Sequence, residues 1–168
     1  VSADIQVDPG PVLRFGRLAI KGQDRMRENR IRKIAGLPEG ERFDPAKLDR
    51  AAERLRRTGV FASVSLTEDE AITRPDLLGI TATVVEQKPR RYSFGAEVAS
   101  LDGMTLSASW LHRNRMGGAE RLELGAEVSN IAAQSSGVDY VIGAKLDRPA
   151  TFTADTNLGF ALDVGQLN

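Results

Sequence analysis

One histidine, His112, and no cysteine stand in a chain of 168 residues, and this narrows the chemistry available. A Ser-His-Asp triad or a histidine-based metal cluster would have to be assembled around His112. Its place beside Trp110, near the end of an alternating segment, reads instead as an interfacial or turn residue. Without cysteine there is no disulfide framework, no thiolate nucleophile and no Cys-based zinc site. Gly117-Gly118 resembles a piece of a phosphate-binding loop. Such a loop opens a helix, however, and strand-like segments lie on both sides here, so a tight turn is the reading. Glu97, Glu123 and Glu127 share one side of their segments, as carboxylates on a wet face do. The residues therefore predict no enzyme, no catalytic or metal-binding site and no cofactor.

The charges say where the chain divides. Lys+Arg and Asp+Glu number 23 each, so there is no net basic charge to hold nucleic acid, and none is expected as a partner. Residues 1–91 nevertheless carry 18 Lys+Arg against 14 Asp+Glu and six of the seven prolines, whereas residues 92–168 carry 5 against 9 and nine of the sixteen glycines. Between them lies Glu86-Gln87-Lys88-Pro89-Arg90-Arg91, where proline ends regular pairing among polar residues. Residues 89–91 are expected to be a hinge. No run of 18 apolar residues is present, so no spanning helix is predicted. Val1-Ser2-Ala3-Asp4 has neither the charge nor the apolar stretch of a signal peptide, and the abrupt start reads as that of an excised piece.

The elements of the first part follow from their punctuation. Leu18 and Ile20 alternate within Val12–Gly22, a strand that stops at glycine. Met26, Ile31, Ile34 and Ala35 recur at near-helical spacing, closed by Gly36 and Pro38. A second helix has Asp44 as cap, Pro45 at its first position and Gly59 beyond its end. Leu48, Ala52 and Leu55 share one face of it, and Glu53 can pair with Arg57. Two strands follow, Val60–Leu66 and Leu78–Glu86, giving β-α-α-β-β, which is most economically one small sheet with both helices on one face.

From Tyr92 onward every segment has a period of two. Tyr92, Phe94, Ala96 and Val98 form the first apolar set; Leu106, Ala108 and Trp110 the second; Leu122, Leu124, Ala126 and Val128 the third. Tyr140, Ile142, Ala144 and Leu146 form the fourth, and Leu158, Phe160, Leu162 and Val164 the fifth. The residues between are small, charged or hydroxylated. Strands of about nine to eleven residues match a tilted crossing of a bilayer. A soluble antiparallel sheet with one wet face produces the same alternation. The connections fall into two groups, 101–103 and 132–137 on one side, 113–120 and 147–156 on the other.

The runs "GPVLRFGRLAIKG", "IAGLPEGERFDPAKLDRAAERLRRTGVFASVSL" and "ITATVVEQKPRR" resemble a POTRA domain, the polypeptide-transport-associated module, over essentially all of residues 11–88. "WLHRNRMGGAERLELGAEVS" resembles the second and third barrel strands of the BamA/TamA superfamily of outer-membrane assembly proteins, nearest the TamA or bacterial surface antigen branch. This resemblance implies an α+β POTRA domain followed by antiparallel all-β strands, the start of a transmembrane β-barrel. In the superfamily that barrel has sixteen strands, the first forming a seam with the last. Residues 1–10 would be the end of a preceding POTRA domain and residues 92–168 the first five strands of an incomplete barrel, since five cannot close one. It also implies a bacterial outer membrane with the POTRA domain in the periplasm. The implied partners are unfolded outer-membrane or autotransporter client polypeptides, outer-membrane lipid and an inner-membrane-anchored protein.

Three sites are expected from this. In POTRA-like domains the last strand lies in the middle, so Val60, Phe61, Ala62, Ser63, Val64, Ser65 and Leu66 would be an edge to which a client strand adds. Tyr92, Ser93, Phe94, Gly95, Ala96, Glu97 and Val98 would form a weakly packed barrel seam that opens sideways. Lys88, Arg90 and Arg91 would meet lipid headgroups as a membrane-surface hinge. The function implied is assembly or translocation of β-rich clients. A two-partner secretion transporter and a soluble periplasmic POTRA adaptor are the alternatives.

Overall fold

The computed structural model describes residues 12–69, 76–134 and 137–167. The segment expected to end a preceding domain, residues 1–10, lies outside them. Three strands and two helices come first: β1 (Arg14–Lys21), α1 (Glu28–Ala35), α2 (Pro45–Arg57), β2 (Phe61–Glu68) and β3 (Leu77–Glu86). They form a sheet in the order β1-β3-β2, with β1 parallel and β2 antiparallel to the central β3. Phe15, Ile31, Ile34, Leu55 and Ile80 are wholly buried between sheet and helices.

Local chemistry explains these elements. Asp44 caps α2 by accepting the Ala46 N–H at 2.9 Å, and Pro45 occupies the position where a missing N–H costs nothing. Gly36, at φ 59°, ends α1 and donates to the Arg32 carbonyl. Met26, expected within the first helix, precedes it. It is nonetheless buried, because the Glu86 carboxylate accepts the N–H groups of Asp24, Arg25 and Met26 and folds that loop onto the end of β3. In β1 the pairing register shifts between Phe15 and Leu18, turning both side chains inward. At Gly16 a Cβ would sit 2.8 Å from the Leu78 carbonyl oxygen, so the bulge requires glycine. Alternation alone identified Leu18 and missed Phe15.

The second part is a five-stranded antiparallel sheet in sequence order: β4 (Arg90–Ala99), β5 (Gly103–Arg113), β6 (Arg121–Ile131), β7 (Asp139–Pro149) and β8 (Asn157–Gln166). At 10 or 11 residues each, the strands are about 35 Å long, which a 45° tilt projects to about 25 Å. Their register aligns the apolar sets in continuous rows. One row is Tyr92, Trp110, Leu124, Ala144 and Leu162; the next is Phe94, Ala108, Ala126, Ile142 and Val164. This face is uncovered: Phe94 is 83% and Ile142 62% exposed. The opposite face carries rows such as Ser93, Ser109, Gly125, Gly143 and Asp163.

The expected boundaries shift in two places. Val60 lies just before β2. The stretch expected as a hinge at 89–91 is shorter, because β4 already begins at Arg90: the Arg113 N–H reaches the Pro89 carbonyl at 2.7 Å and extends the β4–β5 ladder. Leu55 has no exposed surface and lies in the core shared by the helices and the first sheet. Leu55→Ala is expected to cost about 2–5 kcal/mol, read as a lower urea midpoint with unchanged slope.

Candidate functional site: two open strand edges and the joint between them

The first sheet has β1 and β2 as its edges and the second has β4 and β8; β2 and β4 are the two expected to act. In β2 the Asp69 N–H donates to the Gly79 carbonyl, which fixes Ser63, Ser65 and Thr67 as the residues bonded to β3. Val64 and Leu66 therefore turn their backbone N–H and C=O groups away from the sheet. One of these groups is occupied: the Val64 carbonyl accepts from Arg56 Nη2 of α2 at 3.2 Å. At the start of the strand Gln87, which continues β3, donates its N–H to the Val60 carbonyl and its side-chain amide to that of Phe61. Of the seven residues expected to form this edge, Val60 is buried and closed off, whereas Ala62, Ser63 and Ser65 are exposed.

The β4 edge differs in kind. The Arg113–Pro89 bond fixes the odd-numbered residues of β4 as those paired with β5, so Tyr92, Phe94, Ala96 and Val98 direct their backbone groups to the open edge. The same residues carry the outward apolar side chains. The seven residues expected at the seam thus separate into four on the apolar face and three, Ser93, Gly95 and Glu97, on the polar one. A Cβ on Gly95 would lie 2.6 Å from Ser107 Oγ, so little side-chain bulk fits between the first two strands there.

Between these edges the two sheets are fastened through the β5–β6 turn (114–120) and the β7–β8 turn (150–156). Arg30 of α1, 8% exposed, donates to the carbonyls of Pro149 at 2.8 Å, Gly118 at 3.2 Å and Ala150 at 3.3 Å. Burial pushes its guanidinium down from the ordinary value and Arg148 and Arg27 add to this, while Glu120 works against it. Glu120, 2% exposed, accepts the N–H groups of Met116 and Gly118 and lies 3.8 Å from Arg148. Lys33 reaches the Thr151 carbonyl at 2.9 Å, and Arg27 bonds the Met116 carbonyl. Arg54 of α2 grips the Asp155 carboxylate with two bonds, at 2.6 and 2.8 Å. Ala119 and Ala150 join the hydrophobic core of the first sheet, both in the left-handed region at φ 66° and 47°. Such strain persists in a side-chain-bearing residue only where surroundings fix it.

The sequence did not mark this joint. Arg30 falls in the same stripe as Ile31 and Ile34, and its partners are main-chain carbonyls far along the chain. The Lys88–Arg91 triplet, by contrast, is divided by the strand period. Lys88 is exposed in the connector, Arg90 joins the apolar face opposite His112, and Arg91 joins the polar face opposite Leu111. Among the described residues no cluster of three or more His, Asp or Glu is placed to hold a metal.

A β-α-α-β-β module docked on an open five-stranded antiparallel sheet is an arrangement found in proteins of known structure. Residues 13–87 match the POTRA family model, described as surface antigen variable number repeat. The chain is similar to the crystal structure of BamA from Haemophilus ducreyi lacking POTRA domains 1-3, with 20% identity, a TM-score of 0.73, and coverage of 95% of this chain and 29% of that one. It is also similar to CdiB from Escherichia coli (15% identity, TM-score 0.71, 91% and 28% covered) and CdiB from Acinetobacter baumannii (13%, 0.74, 92% and 28%). No curated protein matches the sequence. Residues 13–87 are thus POTRA-like, and the chain as a whole shares the fold of these BamA and CdiB structures. It spans under a third of the length of these solved relatives.

The joint has a pH signature. The hydrogen bond from Arg54 holds the Asp155 carboxyl below its ordinary range. Because the folded value is the lower one, the pair's contribution is fully present above the ordinary carboxylate range and is lost as pH falls through the lowered value. Spin labels at Arg50 and Ala161 should give one narrow distance at neutral pH that broadens only in strong acid. Asp155→Asn should broaden it at neutral pH, and an unchanged distribution in that variant would show that the pair does not hold the joint.

Proposed function

We propose that this chain works in a bacterial outer membrane, with its POTRA domain in the periplasm, as part of a factor that assembles or translocates β-rich client polypeptides. The observation that carries this reading is the uncovered apolar face, which every one of the five strands builds in register. In lipid a spanning sheet must satisfy all its backbone groups within the wall, so the face belongs to a cylinder that continues beyond β8 and returns to β4. Clients arriving with unpaired backbone groups are matched by strand addition, which reads main chain and tolerates many sequences. The β2 edge, with polar exposed side chains, suits a client still in water. The β4 edge, with apolar ones, suits a client entering lipid. The TamA-like branch and autotransporter-type clients are the finer form of this proposal.

Two measurements test it. Ile142 and Val141 are neighbours on opposite faces of β7, so a charge at each separates lipid from lumen. Ile142→Arg should impair insertion into vesicles by about 2–4 kcal/mol, whereas Val141→Arg leaves it nearly intact. Equal effects at the two positions, or a protein that stays soluble without amphiphile, would favour a soluble POTRA adaptor instead. For strand addition, a photocrosslinker at Ser65 should capture a client during assembly, while one at Arg50 on α2 should not. Capture at neither position, with assembly proceeding, removes the β2 edge from the mechanism.

A further inference from the structure

The outward face changes character in layers toward the joint. Phe94 and Ala108 form an apolar row, and Tyr92 and Trp110 form an aromatic one. Arg90 and His112 come next, directly opposite each other in a non-hydrogen-bonded pair, the kind in which side chains approach most closely. The Trp110 and His112 rings meet edge to face at 5.8 Å. Beyond the strand end lie Arg115, in the β5–β6 turn, and Arg25, in the β1–α1 loop that packs on that turn. The Arg25 carbonyl lies against Gly117, so loop and turn are in contact. Hydrocarbon, aromatic and cation thus follow one another as acyl chain, interface and headgroup do in a bilayer leaflet.

Three arginines are thus gathered at one rim, where the Glu86 carboxylate is already taken up by the backbone N–H groups of Asp24, Arg25 and Met26. Neither Arg90 nor Arg115 has an acidic partner among the described residues, and Arg25 has only its exposed neighbour Asp24 at 3.6 Å. His112 Nδ1 is sealed from solvent. The arrangement is confined to one rim. Residues 99–105 and 129–140, at the other ends of these strands, contain Asp102 and Asp139 and no Lys or Arg.

We propose that Arg90, Arg115, Arg25 and His112 form a binding site for the phosphate of an anionic phospholipid headgroup, seated below Trp110 on the rim nearest the POTRA domain. It rests on the membrane reading above and goes beyond the expected triplet: Arg91 faces the polar side and has no part in it, while Arg25 and Arg115 come from elements remote in sequence. Because Arg25 belongs to the POTRA domain and Arg90 and Arg115 to the sheet, a bound headgroup bridges the two and selects the leaflet on their side.

The test is lipid retention, read by native mass spectrometry on the protein reconstituted in vesicles of phosphatidylethanolamine with a minor fraction of phosphatidylglycerol. Phosphatidylglycerol should be retained preferentially. Neutralising Arg90→Gln or Arg115→Gln should lower that preference about fivefold each, and the double variant roughly twentyfold. The paired control R50Q/R57Q, on the exposed face of α2, should leave it unchanged. Equal retention of both lipids, or a double variant that behaves as wild type, overturns the site. Complete competition by glycerol phosphate overturns it in favour of a free-phosphate site. Insertion into purely zwitterionic vesicles is scored separately by heat-modifiable migration. Insertion without a lipid preference removes this site alone, and failure to insert in either composition removes the membrane reading with it.

Discussion

The sheet depends on register. Side chains alternate strictly along a strand, so sliding any one of β4 to β8 by a single residue would send its whole apolar set to the polar side. The pairings prevent this, and the rows through Tyr92 and Phe94 run unbroken across five strands, the β5–β6 register shifting only between Met104 and Leu106. Without that alignment there would be scattered exposed hydrophobics, which any protein carries. With it there is a continuous surface that water does not suit. Strand length, the aromatic row and the open edges acquire their meaning from this arrangement.

The joint with the POTRA domain obeys a different constraint. Turn carbonyls at the end of a sheet need donors, and a buried donor must be able to serve several at once. Arginine meets this demand because its fork reaches three carbonyls from one side chain, where lysine would offer a point charge. Two alanines held at positive φ complete the fit by sending methyl groups into the core of the neighbouring domain. The connection is therefore a shared piece of core with charged fasteners around it, and the short connector at Gln87–Pro89 is only its covalent part.

Much of this was legible in the residues. Asp44, Pro45 and Gly36 mark helix ends by mechanisms that act within a few residues, and the period of two assigned all five apolar sets to the face they occupy. Local chemistry is what a sequence displays directly. The bulge at Gly16 broke the alternation that would have revealed Phe15, and Met26 was drawn inward by a carboxylate sixty residues away. Arg30, Arg54 and Asp155 look like ordinary surface charges until the turns they meet are brought to them. The Lys88–Arg91 cluster shows the reverse case, in which proximity in sequence suggested one site and the pleat separated Arg90 from Arg91.

Helix α2 holds two commitments two residues apart. Arg54 is clamped to Asp155 at the tip of the β7–β8 turn, while Arg56 covers the Val64 carbonyl on the edge of β2. A strand that docks fully along β2 must displace the second contact, and the freed guanidinium belongs to the same rigid rod as the first. Occupancy of the β2 edge would thus bear on the same stretch of helix that grips the β7–β8 turn, about half a helical turn away.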